Sequence, residues 1–170
     1  MQGTITMLLG DLTKTKADAI VNAANERLLR GGGVCGAIFR AAGGALDEAC
    51  GEIGYCATGE AVMTPGFDLP ADYIIHTVGP VWQGGEKNEP ALLASCYDNS
   101  LALAEKNGLK SIAFPSISTG IFGYPTEKAA KIAVERALAF VEDHDMDVMW
   151  VLFDEKTKAI YDEALAKSMK

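Results

Sequence analysis

Ala19-Ile20-Val21-Asn22-Ala23-Ala24-Asn25, followed after five residues by Gly31-Gly32-Gly33-Val34-Cys35-Gly36-Ala37-Ile38, is the stretch on which the reading of this chain turns. Ala19 to Val21 is a short apolar run with the character of a buried strand, and Asn22 ends it. From Val34 to Ala42 the pattern becomes helical, with Val34, Ala37, Ile38 and Ala41 on one face. Three consecutive glycines offer no packing, so they are expected where a chain turns tightly or lets a ligand approach its amides. A strand, a glycine loop and a helix start in succession put unpaired N–H groups and a positive helix end at one place. That combination predicts an anion cradle.

The same alternation runs through the rest of the chain. Thr4 to Leu9 reads as a strand stopped by Gly10-Asp11, and Ala61 to Thr64, Tyr73 to Val78, Ser111 to Phe114 and Asp147 to Phe153 read likewise. Helices are expected over Ala45–Ile53, Glu89–Asn107 with Asn88 as its cap, Pro125 to about Glu142, and Glu155–Ser168. Strands alternating with helices predict an α/β fold, a three-layer α/β/α sandwich around a central mixed sheet. Such sheets bind ligands beyond the carboxyl ends of their strands. Asp11, Asn22 with Asn25, and the loop Ser116 to Gly123 are therefore expected to converge on one crevice.

A chain of 170 residues fits a single domain spanning positions 1–170. No apolar run reaches the ~20 residues of a membrane helix, and the first nine residues lack a secretion signal, which predicts a cytoplasmic protein with no membrane partner. A formal charge of −8 argues against nucleic acid as a partner. It leaves room for a small phosphorylated ligand held by backbone amides. Cys35, Cys50, Cys56 and Cys96 form no CxxC pair and His76 and His144 stand at no metal-ligand spacing, so no metal site is expected.

The glycine loop is neither GxGxxG with a downstream acid nor a P-loop, because no GKS or GKT follows it. Its context instead resembles the macrodomain family. The resemblance rests on Gly10-Asp11-Leu12-Thr13, Asp18 to Asn25, Gly31 to Ile38 with Arg40 to Gly43, Ile75-His76-Thr77-Val78-Gly79-Pro80, and Pro115-Ser116-Ile117-Ser118-Thr119-Gly120-Ile121-Phe122-Gly123. These five segments occur in the family's order across nearly the whole chain. The resemblance implies ADP-ribose as ligand, with no cofactor required.

It also implies roles by position. Asp11, next to Leu12, would accept from the adenine amino group, although a turn or helix cap is the plainer reading of that aspartate. Gly32, Gly33, Val34 and Cys35 would line one side of the diphosphate, and Ser118, Thr119, Gly120, Ile121 and Phe122 the other. Ile121 and Phe122 would bridge the ligand. Asn25 would meet the distal ribose, and Asn22 would tie the loop backbone together. Phe153 or Asp154 would border the adenine, with a core role equally open to Phe153. His76, inside an apolar strand, reads as a structural histidine.

The branch most resembled, that of MacroD-type hydrolases and O-acetyl-ADP-ribose deacetylases, carries an aspartate and a histidine where this chain has Cys35 and Phe39. The expected activity is hydrolysis of ADP-ribosyl esters, from modified Glu or Asp side chains or from O-acetyl-ADP-ribose, by a positioned water. Asn25 is the expected catalytic residue, and Cys35 stands at the position of the family's acid. The alternative is a reader that binds ADP-ribose, free or on a modified protein, without chemistry. The protein is expected to act as a monomer.

Overall fold

A computed structural model describes residues 2–169. Its strands are β1 (Thr4–Leu9), β2 (Ala19–Ala23), β3 (Ala61–Pro65), β4 (Tyr73–Thr77), β5 (Ser111–Phe114) and β6 (Asp147–Leu152). Its helices are α1 (Gly33–Ala42), α2 (Gly44–Ile53), α3 (Glu89–Lys106), α4 (Thr126–Val141) and α5 (Glu155–Ser168), with a single 3-10 turn at Leu12–Lys14. The six strands form one sheet in the order β1-β6-β5-β2-β4-β3. Every neighbouring pair is parallel except β3 with β4, which makes the sheet mixed.

Side chains alternate across the sheet, and that alternation divides the core in two. Val21, Ile75, Ile112, Phe114, Val148 and Trp150 face one way and pack beneath α3, α4 and Tyr161 of α5. Ile20, Ile74, Ala113 and Val151 face the other way, against Ile38, Phe39, Leu46 and Cys50 of α1 and α2. The result is the α/β/α sandwich that the alternation of strands and helices predicts. Each fully buried Leu, Ile or Phe contributes roughly 1.5–3 kcal/mol, so the sheet is gripped from both faces.

One irregularity of the ladder opens the site. β2 and β5 pair only at Ala19↔Ile112 and Ile20↔Ala113, while β2 stays joined to β4 as far as Ala23↔Thr77. The sheet therefore parts between β2 and β5 at their carboxyl ends, at its centre. A crevice at such a parting is where open α/β sheets accept ligands.

Three local expectations need correction. Asn22 does not end its strand; β2 runs on to Ala23 because the ladder to β4 pairs Asn22 with His76 and overrides the low strand preference of asparagine. Asn88 is left-handed, with φ 67°, and its side chain caps nothing. The turn before α3 is organised by Glu89, whose buried carboxylate accepts from the amides of Gln83 (2.7 Å), Gly85 (3.0 Å) and Lys87 (2.6 Å). Burial alone would raise the pKa of Glu89, but these amides outweigh it and bring it down to about 2. Pro125 stands just outside α4, which begins at Thr126.

Candidate functional site

The carboxyl ends of four adjacent parallel strands, β1, β6, β5 and β2, surround a crevice of about 710 Å³. That volume suits a ligand larger than a simple nucleotide base. Gly10 to Thr13 line it after β1, Phe153 and Asp154 after β6, Pro115, Ser116 and Ser118 to Phe122 after β5, and Ala24 and Asn25 after β2. The glycine loop, Gly31 to Cys35, closes the remaining side. Asp11, Leu12, Asn25, Gly32, Gly33, Val34, Cys35, Ser118, Thr119, Gly120, Ile121, Phe122 and Phe153 all stand on this wall.

The two loops meet the crevice with their backbones. No side chain caps α1, so the amides of Gly33, Val34 and Cys35 lie ahead of the first intrahelical bond, Gly36 N–H to Gly32 O at 3.1 Å. Gly33 has φ +55°, a conformation that side chains disfavour. Gly36 is required for a different reason: a Cβ there would overlap the Gly31 carbonyl oxygen. Across the crevice the amides of Thr119, Gly120, Ile121 and Phe122 donate to no acceptor among the described residues. A Cβ added at Gly32 would come within 3.8 Å of Ile121 Cδ1, so the loops face each other closely.

Among the described residues no Lys or Arg lines the crevice, and the only charged side chains on its wall are Asp11 and Asp154. Both cap helical turns. Asp11 Oδ1 accepts from Thr13 N (2.9 Å) and Thr13 Oγ1 (2.7 Å), and Asp154 Oδ1 accepts from Thr157 N (2.7 Å). Those bonds lower both pKa values, so both groups are anions at neutral pH. The cap reading of Asp11 is thus correct, and it leaves Oδ2 without a hydrogen bond among the described residues, open to a ligand donor. Opposing these carboxylates are the N-terminal turns of α1 and α4, which no side chain caps and which contribute Gly33 and Thr126 to the wall, whereas the α5 turn, with Thr157, is already capped by Asp154. The positive ends of α1 and α4 converge on the crevice.

Asn25 is half-buried and pins its own loop. Its Nδ2 donates to the Leu29 carbonyl at 2.8 Å and its Oδ1 accepts from Leu29 N at 2.9 Å. One N–H and one lone pair remain for a ligand. Cys35, 7% exposed, directs its thiol to the same Leu29 carbonyl at 3.7 Å. Phe39, one helical turn further on, is buried beneath Arg30, whose guanidinium carbon sits 5.7 Å from the ring centroid.

Asn22 is not on the wall. It is fully buried beneath the glycine loop, and instead of binding loop backbone it donates through Nδ2 to His76 Nδ1 at 3.0 Å and to Cys35 Sγ at 3.7 Å. The reason is its place inside β2, which aims the side chain across to β4. His76 is the structural histidine expected. With Nδ1 accepting, its proton is on Nε2 and goes to Thr64 Oγ1 at 2.9 Å; Thr64 donates onward to the Pro65 carbonyl at 3.2 Å. Burial pushes the His76 pKa down to about 4, so the ring is neutral.

Ser116 joins the wall as part of the loop expected there, whereas Thr126 and Thr157 belong to the wall without a sequence expectation that placed them in it. Thr126 and Thr157 carry only the signal of a Thr in a helix's first turn, which many helices share.

An α/β/α sandwich whose sheet parts at its centre beneath two runs of open backbone amides has the architecture of a nucleotide-binding class of protein. Comparison with known proteins narrows this: residues 21–133 match the Macro domain family, and the chain belongs to that family. It is 54% identical over 166 residues to the O-acetyl-ADP-ribose deacetylase of Klebsiella pneumoniae, covering 94% of this chain and 95% of that protein. Its structure superposes on an Oceanobacillus iheyensis macrodomain with ADP at a TM-score of 0.95 and 45% identity, covering 99% and 93% of the two chains. A Trypanosoma brucei macrodomain in complex with ADP-ribose gives a TM-score of 0.88 at 44% identity, with 95% of this chain and 68% of that chain covered.

Proposed function

We propose that the chain binds ADP-ribose in this crevice and hydrolyses ADP-ribosyl esters, on modified Glu or Asp side chains or in O-acetyl-ADP-ribose. The observation that carries the reading is the pair of unpartnered amide runs, 33–35 and 119–122, facing each other with no cation between them. A diphosphate is the ligand whose charge is spread widely enough to use both. The names of the relatives, one an O-acetyl-ADP-ribose deacetylase and others solved with ADP or ADP-ribose, support the same ligand.

In this reading Asp11 Oδ2 accepts from the adenine amino group, and the exposed ring of Phe153, 78% accessible, covers the base. Ile121, 85% accessible, and Phe122 close over the diphosphate. Asn25 uses its remaining donor and acceptor to orient the distal ribose hydroxyls.

The crevice offers no free carboxylate beside Asn25, so hydrolysis relies on the substrate. For an ester at the anomeric carbon, a water oxygen bonds to that carbon as the carbon–carboxylate bond breaks. The carboxylate leaves as an anion, and the water's proton passes to a substrate phosphate oxygen and then to solvent. The protein's part is to hold the bent distal ribose and the water in one geometry.

One observation favours a second reading, a reader without chemistry: Cys35 directs its thiol proton at a carbonyl and has no means of accepting a proton from water in that state. Incubation with mono-ADP-ribosylated protein and with O-acetyl-ADP-ribose separates the two. Hydrolysis predicts product above a no-enzyme control, with Asn25→Ala losing turnover more than affinity. Binding without release supports the reader, and ADP-ribose affinity weaker than millimolar removes both readings.

A further inference from the structure

The loop that follows β5 is held from below by a chain of hydroxyl groups that begins in the last helix. Tyr161 of α5, fully buried, lies with its Oη 2.8 Å from Ser116 Oγ. Ser116 Oγ lies 2.6 Å from Thr119 Oγ1, and Thr119 Oγ1 lies 3.1 Å from the Ser116 carbonyl. A hydroxyl has one proton, and a carbonyl can only accept. Thr119 therefore gives its proton to the Ser116 carbonyl. Ser116 gives its own to Thr119, and the remaining contact is closed only if Tyr161 donates to Ser116 Oγ. The chain has a single direction, and its source is the Tyr161 phenol. Burial pushes the Tyr161 pKa up to about 12, so that proton stays in place at any working pH.

What this chain holds is the turn that presents the second run of open amides. Ser118, between the two hydroxyl residues' ends of the turn, is forced to φ +67° without being glycine. Tyr124 N–H to Ser118 O (2.9 Å) and Gly123 N–H to Gly120 O (3.0 Å) are the backbone bonds that close the loop. From outside, the far end of this strained turn is tied by Trp82 N–H to Phe122 O (2.8 Å), and its near end, at 116–119, is held by the hydroxyl chain. Ser116 and Thr119 stand on the crevice wall, whereas Tyr161 does not touch it.

We infer that Tyr161 is a positioning residue for anion binding: from α5 it fixes the direction of the Ser116 and Thr119 hydroxyls and so aims the 119–122 amides at the phosphates. This rests on the ADP-ribose reading of the crevice. The test is Tyr161→Phe, which removes one buried oxygen and keeps the ring that packs 6.1 Å from Trp150. Two quantities are measured beside the wild-type chain. In the free proteins, amide exchange at Gly123 and Tyr124 should quicken in Y161F, a readout that needs no ligand. By titration, ADP-ribose affinity should fall about 5-fold, the size of one hydrogen bond, whereas adenosine, which has no phosphate, should bind both proteins equally. Ser116→Ala should give a similar loss, and the double variant should lose no more than either single one.

Wild-type protein that fails to bind ADP-ribose overturns the reading of the crevice, and Tyr161's hold on the turn is then still read from amide exchange. Wild-type protein that binds, with Y161F binding as tightly, overturns the positioning role. So does an equal loss for adenosine, or additive losses in the double variant.

Discussion

His76 makes a prediction whose size follows from its surroundings. It is fully buried between β2 and β3, neutral, accepting from Asn22 and donating to Thr64. In the unfolded chain it titrates at its ordinary 6.5, and burial lowers this to about 4 in the folded protein. A depressed basic pKa means that the unfolded state takes up the proton first as pH falls. The stability that neutral His76 contributes is therefore complete above 6.5 and is lost on descending toward 4. At one pKa unit per ~1.4 kcal/mol, the loss between pH 7 and pH 5 is about 2 kcal/mol, and it approaches about 3 kcal/mol near pH 4. Urea unfolding at pH 7, 6 and 5 should show a midpoint falling by about 1 M for a slope near 2 kcal/mol/M. The window above pH 5 is chosen because Glu89 and the capping aspartates titrate below it. His76→Gln keeps an amide that can accept from Asn22 and donate to Thr64 but has no proton to gain. It should be less stable at pH 7 and should lack the slope between 7 and 5. If wild type and H76Q weaken in parallel over that range, His76 is not the group responsible and the account of the Asn22–His76–Thr64 chain is wrong.

Gly36→Ala places a methyl on the Gly31 carbonyl, so the glycine loop must shift; ADP-ribose affinity by calorimetry should fall at least 10-fold, and unchanged affinity would show that the loop is not the cradle. Because no Lys or Arg lines the crevice, ADP-ribose affinity should change less than 3-fold between 50 and 500 mM salt, roughly the range over which exposed charges become screened; a steep salt dependence would require a cation contact absent from this geometry. Glu89→Gln puts an NH₂ group against backbone N–H donors at the turn before α3, so thermal unfolding should move several degrees lower, and an unchanged midpoint would contradict the nest of amides. Cys35→Asp supplies a proton acceptor beside Asn25 and should raise turnover of an ADP-ribosyl ester; equal turnover in C35D and wild type would mean that hydrolysis does not pass through this position.

Most of the architecture is written in local patterns. The apolar runs at Thr4–Leu9 and Ser111–Phe114 became strands with those bounds, and Glu155–Ser168 became the last helix as the spacing predicted. What local pattern cannot carry is the ladder. Asn22 looks like a strand stop because asparagine is a poor strand residue, yet the register opposite His76 extends β2 through it. The same limit hid Glu89, since a glutamate at a helix start looks solvated until the turn before it folds back over the carboxylate. Thirteen of the fourteen residues expected around a ligand line the crevice, and the exception, Asn22, lies just beneath it. The glycine loop, the Ser118 to Phe122 loop and the strand ends are contiguous in sequence and therefore legible. Tyr161 is not, because its hold on Ser116 spans 45 positions and leaves no local trace.

The charge of the chain and the ligand proposed for it pull in opposite directions, and the geometry resolves the conflict. A net charge of −8 repels an anion at long range, and the two carboxylates on the crevice wall add to that repulsion. Salt screens such long-range terms within about 10 Å, so they act on the approach of a ligand more than on its grip. In the proposed mode the grip would come from fixed dipoles: the amides at 33–35 and 119–122 and the uncapped N-terminal turns of α1 and α4. Lysines would bind phosphate without regard to what lies on either side of it. In the proposed mode, amides on two short loops would favour a diphosphate set at their own spacing, and Asp11 and Asp154, standing at one end, would favour a ligand whose far end donates hydrogen bonds. In the proposed binding mode the carboxylates would select the orientation: the amino-bearing base would lie toward β1 and β6, and the distal sugar toward Asn25 and the mouth of the glycine loop, where an attached protein or acyl group would emerge.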